Sequence, residues 1–562
     1  MRHLFLSVFF LFSMQQLAAQ TSLEPIDLWV VNARIYTVNA GFDVAEAMAI
    51  RDGKVVGIGS ENDMKKRFNT KAAKNVFNAR GRAIYPGFID AHTHFYGYGR
   101  GLQSVDFFGT KSWKECLKRV DKFVENEKKS NKNLANTGGS ANWLLGRGWD
   151  QNDWSGKTYP TKSELDKRFP NRPVLLTRVD GHAAIANQKA LDLAGVKAGQ
   201  TLTGGEIEVK NGQLTGILID NAILVVRNLI AEETPEMVKK SLIDAQKSCF
   251  SYGLTTVADC GLHFSTIETI EKMHQEDQLQ MRIYAMYSDE RDNYEYAFRR
   301  GVLKTNHLHA RSFKLYADGA LGSRGACLAH QYTDRPHHFG FLLKDTAYFS
   351  SVFVQLAKRG FQACTHAIGD SANRVILQLY SNVLAEKNDN RWRIEHAQVV
   401  QEADFELFKN KNIIPSVQPT HATSDMYWAK ERLGEKREKN AYAYQKLLQQ
   451  NGWLPLGTDF PVEQVNPILT FYAAVARRDV AFFPKNGYQM ENALTREQAL
   501  RGMTAWAAKS CFEENEKGSL EVGKWADFIV VDQDLMQIAA EKMAKTKILN
   551  TFSSGKMVFE RK

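Results

Sequence analysis

Two histidines one residue apart, His92 and His94, close the apolar, β-prone run Ala83-Ile-Tyr-Pro-Gly-Phe-Ile-Asp-Ala-His-Thr-His94. In a strand, residues i and i+2 point to the same side. The pair therefore brings two imidazoles to one place at the strand's end, where neutral ring nitrogens suit a divalent transition metal. On its own it also fits two histidines capping a buried strand, so the decision falls to later segments. These supply Lys314, His366, His396 and Asp459, each at or near the end of an apolar stretch. The donor set is nitrogen and oxygen without sulfur, which suits zinc and also manganese, iron, cobalt or nickel.

The elements that must position these residues repeat along the chain. Eight apolar segments end in polar or turn residues and are mostly followed by helical patterns: 84–94, 254–261, 281–288, 312–318, 360–369, 392–398, 413–421 and 453–461. Eight such repeats predict an α/β fold, a closed (β/α)8 TIM barrel, whose active site forms at the carboxyl ends of the strands. On this count His92 and His94 end strand one, Lys314 lies on strand four, His366 on five, His396 on six and Asp459 on eight. Between the first and second strands, about 100–250 is a long insertion with strand-like pieces at 143–149 and 173–180 and a hairpin turning at Asn211-Gly212. It reads as a lid or side domain over the barrel mouth. Both ends of the chain alternate apolar and polar residues around turn dipeptides, Asp52-Gly53 and Ser554-Gly555, which predicts one small β-sandwich built from 21–82 and 511–562 around a barrel spanning 83–510.

Residues 1–20 combine a basic start, an apolar run from Leu4 to Met14 and small residues at Ala18-Ala19, the three parts of a secretory signal peptide. Export to a periplasm or the outside is expected, with no lipid anchor and no membrane-spanning helix. The six cysteines are widely spaced with no C-x-x-C, so free, buried thiols are expected. The 562 residues, 44% hydrophobic and 24% charged, can bury a large core divided into more than one unit. Net charge is +10, but Lys and Arg are scattered among acids, which argues against a nucleic-acid partner. A small-molecule substrate is the expected partner, and a homodimer stays open.

Gly87-Phe-Ile-Asp-Ala-His-Thr-His94 with the later Lys, His, His and Asp resembles the amidohydrolase superfamily. Further stretches resemble its family 3, the YtcJ-like branch that includes N-substituted formamide deformylases: Gly146-Arg-Gly-Trp-Asp-Gln151, Arg178-Val-Asp-Gly-His-Ala-Ala184, Phe313-Lys-Leu-Tyr-Ala-Asp-Gly-Ala-Leu-Gly-Ser323, Thr365-His-Ala-Ile-Gly-Asp370, Arg393-Ile-Glu-His-Ala397 and Gly457-Thr-Asp-Phe-Pro461. The resemblance implies a barrel plus β-sandwich, hydrolysis of a carbon–nitrogen, non-peptide bond, and two divalent ions, zinc first, held by His92, His94, Lys314, His366, His396 and Asp459, with Lys314 carboxylated. It assigns proton transfer to Asp459. His182 or His421 is expected to polarise the substrate carbonyl, with His421 ending strand seven. Trp149, Asp150 and Gln151 are expected to line the substrate pocket, and Asp318 and Asp370 to orient ligands or cap helices. His307, His309, His337 and His338 read as surface residues. A metal-dependent esterase or deaminase on the same barrel, or a non-catalytic binding protein, are the rival readings. Lys314 argues against the deaminase, and the intact ligand positions argue against lost chemistry.

Overall fold

A computed structural model describes residues 23–129, 143–230 and 234–562; the expected signal peptide lies outside them. Seven parallel strands run side by side in chain order: β1 (Phe88–Thr93), β2 (Leu254–Leu262), β3 (Arg282–Ser288), β4 (Leu308–Tyr316), β5 (Gln362–Ala367), β6 (Arg393–His396) and β7 (Ile414–Ser416). Helices cover the outside, so these strands are buried on both faces and read as near-continuous apolar runs. The intervening helices carry ordinary start and stop signals. Asp345 accepts from the Tyr348 amide at the start of Thr346–Arg359, and Gly360 ends that helix in the left-handed conformation.

The eighth position differs from expectation. Residues 455–460 form no regular strand, yet they bond on both sides: Gly457 N–H donates to Val417 O next to β7, while Ala91 donates to Leu456 O and Asp459 donates to His92 O along β1. This irregular segment closes the gap between β7 and β1. The first stretch also departs from expectation, because it splits at Gly87. Ala83–Pro86 pairs with Phe528–Val531 in a terminal sheet, and only Phe88–Thr93 enters the barrel. A Cβ on Gly87 would meet the Thr255 side chain at 2.3 Å, so glycine permits the close crossing.

Strands from the two ends of the chain form two sheets. One runs Lys54–Gly59, Ala47–Arg51, Leu28–Val31, Asn75–Asn78; the other runs Lys556–Glu560, Ile548–Ser553, Phe528–Val531, Ala83–Pro86, Arg34–Tyr36, Val44–Ala45. Val30, Met48, Ile84 and Phe528 from both sheets share one apolar core. Asp52-Gly53, Asn211-Gly212 and Ser554-Gly555 each hold both residues at positive φ, as two-residue hairpin turns require. The insertion folds a six-stranded sheet of its own, including Leu144–Trp149, Val174–Arg178 and Gln213–Asp220, with an apolar core on each face. The six cysteines form no disulfide; five are buried and Cys327 is half-buried. No helix among the described residues is long and apolar enough to cross a membrane.

Candidate metal centre and its cavity

The carboxyl ends of the strands converge as the barrel requires. His92 and His396 have ring centroids 4.8 Å apart, and those of His396 and His366 are 4.6 Å apart. One carboxylate oxygen of Asp459 lies 3.5 Å from His92 Nε2 and 3.3 Å from His94 Nε2. Lys314 Nζ lies 3.2 Å from His92 Nε2. His92, His396 and Asp459 offer one ligand atom each, all within 4.8 Å of one another. His94 sits just past β1 as the residue before the helix Phe95–Gly101.

The hydrogen bonds on the Nδ1 side fix which ring nitrogen of His92 and His396 faces the centre. His92 Nδ1–H donates to Glu395 Oε2 at 2.5 Å and His396 Nδ1–H donates to Gln418 Oε1 at 2.7 Å, so each ring presents an Nε2 lone pair. Burial pushes His92 down to about 4, with Lys314 pushing the same way, and burial with its histidine neighbours lowers His366 and His396 further. All three are neutral at pH 7, the state a ligand needs. Burial would raise Asp459, but His92, His421 and His94 hold it well below the usual carboxylate range. Its Oδ1 is buried without a hydrogen-bond partner. An anionic oxygen left unpaired among neutral imidazole nitrogens fits a divalent cation, because burying that charge otherwise has no compensation. Asp459 and His396 both stand at positive φ, 62° and 74°, a conformation that costs a non-glycine residue and that the surrounding structure must hold in place.

Lys314 keeps its charge despite its burial. Burial pushes its ammonium toward the neutral amine, but Cys260, Tyr316, Glu395 and Asp459 push back, and the net shift is upward. Without a competing cation it is an ammonium pointing at His92.

Above the ligands opens a cavity of about 2250 Å³ lined by barrel ends and by the insertion. His182 and His421 both face it. His182 Nδ1–H donates to Asp220 Oδ1 at 2.6 Å, which raises its pKa against the opposing effect of burial. His421 belongs to the first turn of the short helix Pro419–Asp425 rather than to a strand end. It bridges Asp459 Oδ2 and Glu463 Oε1, each at 3.2 Å, and although burial opposes the charge these carboxylates bring it up to about 10. Asp150 lines the cavity, bound to Arg178.

The expectation for Trp149 and Gln151 is corrected. Trp149 is fully buried in the insertion's core with its indole N–H on Leu176 O, and Gln151 is buried holding Arg178 Nε. Neither lines the cavity, since the one packs an apolar layer and the other pairs a buried guanidinium. Asp318 accepts the amides of Cys327, Ile368 and Gly369 and lies 3.6 Å from His366 Nε2, so it shapes the loops beside that ligand. Asp370 begins the helix Asp370–Val383 and binds the Ala329 amide. Of the supposed surface histidines, His309 is buried on β4 and His307 and His338 are half-buried.

Sequence reasoning missed Glu395, Gln418 and Asp90. Asp90 accepts from the backbone of His92 and Thr458 and from the Thr458 hydroxyl, tying β1 to the closing segment. Glu395 was legible as one of two opposite charges, Arg393 and Glu395, spaced two apart on a strand buried throughout.

Residues 75–559 match the amidohydrolase family. The putative amidohydrolase YtcJ of Bacillus subtilis (strain 168) is 29% identical over 537 residues, 94% of this chain and 98% of that protein. The N-substituted formamide deformylase of Arthrobacter pascens is 25% identical over 560 residues, 95% of this chain and 98% of that one. An uncharacterized metal-dependent hydrolase of Pyrococcus horikoshii OT3 superposes with a TM-score of 0.73 at 27% identity, covering 91% of this chain and 99% of its own.

Proposed function

Because the chain belongs to the amidohydrolase family, we propose that this metal-dependent enzyme hydrolyses a carbon–nitrogen, non-peptide bond of a small amide, with N-substituted formamides first among candidates. The observation that carries the reading is the unpaired Asp459 oxygen beside the His92 and His94 nitrogens at the floor of a large cavity. The deformylase supports the formamide class, being similar along nearly its whole length.

His92, His94, His366, His396, Asp459 and Lys314 would hold the metal, which we take as zinc. When bound, a divalent ion supplies Lewis acidity and brings the pKa of a coordinated water from about 15.7 to near 7. Asp459 would take a proton from the attacking water and hand it to the leaving nitrogen. His421, clamped between Asp459 and Glu463, fixes Oδ2 of that carboxylate so that Oδ1 keeps its aim. His182 donates its Nδ1–H to Asp220, whose carboxylate raises its pKa; in the imidazolium form this favours, Nε2–H also faces the cavity and donates to the amide carbonyl as negative charge develops there.

The test is a panel of N-formyl, N-acyl and cyclic amides given to metal-loaded protein, with amine release measured. Turnover lost together with metal in His366→Ala is the expected result. A fully metal-loaded protein inert to every amide, yet active on the matching esters, would overturn the reading.

A further inference from the structure

The inserted unit brings two guanidinium groups to the cavity without giving either a carboxylate. Arg147, on the strand Leu144–Trp149, donates from Nη2 to Val179 O at 3.0 Å, and its Nε is buried with no partner. Arg227 ends the helix Asn221–Arg227, and its guanidinium makes neither a hydrogen bond nor an ion pair among the described residues. Both line the cavity that holds the metal ligands. Tyr316 connects them to the centre. It feels the charges of Lys314, Asp459 and Arg227, and its ring lies 5.4 Å from that of His366.

Most acids on the same walls are already engaged. Arg178 holds Asp150 and Asp180, His182 holds Asp220, and His421 with Ser424 holds Glu463. Apart from the metal centre, the exposed Glu290 and Asp289, which among the described residues is held only by the Tyr294 and Tyr348 hydroxyls, what remains uncompensated is positive. Protein surrounds Arg227 on several sides while the cavity keeps it wet; burial, then repulsion by Arg147 and Arg100, brings its pKa down to about 10, so it stays charged at pH 7. Two cations held near each other with no counter-ion gain from a bound anion, and guanidinium geometry matches a carboxylate's two oxygens.

We propose that Arg147 and Arg227 form an anion subsite, so that the substrate is an amide carrying a carboxylate a few bonds from the scissile carbon–nitrogen bond. This rests on the hydrolytic reading above. A monoanion is favoured over a phosphate dianion because Asp180 and Asp220 share these walls.

The experiment uses metal-loaded protein and ω-formamido carboxylic acids of three to six carbons, each beside its neutral carboxamide and its phosphate counterpart. One chain length should show an acid-to-carboxamide ratio in kcat/KM well above one, and Arg227→Met should cut that ratio by roughly 10–100-fold, the worth of a hydrogen bond to a charged group. Arg227→Met breaks no internal bond, so it keeps the test open if Arg147→Met fails to fold. Glutarate titrated calorimetrically into both proteins gives a readout without turnover, at least tenfold weaker in the variant. Equal cleavage of acid and carboxamide at every length overturns the subsite and leaves the hydrolytic reading standing; preference for the phosphate overturns the carboxylate assignment. If no formamide is cleaved, the hydrolytic reading for this class fails and glutarate decides the subsite alone: binding that depends on Arg227 supports it, and equal binding overturns it.

Discussion

Replacing Glu395 by glutamine tests whether a residue that touches no ligand-facing atom sets the strength of the metal centre. Glu395 is fully buried, its Oε2 2.5 Å from His92 Nδ1 and its Oε1 2.7 Å from Arg393 Nε. Burial would raise its pKa, but Arg393 and His92 drive it far below the usual range, so it is an anion throughout the neutral region. Glutamine keeps the shape and an oxygen for the His92 N–H but removes the charge. A hydrogen bond to a charged group contributes about 1.5–3 kcal/mol against about 0.5–1.5 for a neutral one. The difference, about 1–1.5 kcal/mol, converts to roughly a 5–15-fold weaker metal affinity, at the low end of the roughly 10–100-fold cost typical of residues that orient a ligating histidine. Arg393 retains Ala91 O and Ser416 Oγ at 2.5 and 2.8 Å, so the variant should fold, with a lower melting temperature. Competition with a chromophoric chelator, on protein whose circular dichroism matches wild type, measures the affinity directly. A dissociation constant within twofold of wild type would refute the argument that the Glu395 charge raises the basicity of His92.

Four further outcomes are expected. Asp459→Asn should keep most of its metal while turnover falls by roughly 10²–10⁴, the contribution of a general base; full activity across the pH range would move the base elsewhere. We propose that Lys314 is carboxylated in the metal-loaded enzyme, so density for three extra atoms on its amine is expected in crystals grown with bicarbonate, and Lys314→Ala should regain activity with short-chain carboxylic acids; a bare amine at full metal occupancy would count against it. Far from the site, burial holds His274 and His307 down at about 4, their rings 5.4 Å apart. The unfolded chain therefore takes up their protons first as pH falls, so their stabilisation is complete above pH 6.5 and lost between 6.5 and 4, on the order of 1 kcal/mol each after allowance for partial exposure. Denaturant titrations should show a shallower slope over that window in a His274→Gln, His307→Gln double variant, and an unchanged slope would reject the assignment. Finally, we propose export with cleavage near Gln20 or Thr21, which N-terminal sequencing of protein from the native cell decides; an intact Met1 on cytoplasmic protein would rule it out.

How much of this was legible in the chain follows from how far each feature reaches. Strand alternation is local, so His92 and His94 could be placed together from two residues of spacing, and three turn dipeptides marked their hairpins because φ > 0 at both positions restricts residue type. The repeated apolar segments and the family motifs identified the barrel and the amidohydrolase family, which the comparison of residues 75–559 bears out. Neither spacing nor motif shows which side chains meet across the barrel. Glu395 reaches His92 over 303 residues of sequence, and in a regular strand it would face away from His396, whose φ of 74° interrupts the alternation. The segment at 453–461 reads as the eighth strand, and its residues 455–460 take that place without regular strand pairing, bonding to Val417 on one side and to β1 on the other, which only the tertiary contacts reveal. Trp149 looked like a pocket residue beside Asp150, yet the core of the insertion's own sheet claims it. Arg227 looks like any scattered cation in the chain, and nothing in the Gly146–Gln151 motif shows that Arg147 would face it. Only the packing of the insertion over the barrel mouth leaves them without an acid, since the partner a charge finds depends on which distant walls the fold brings together.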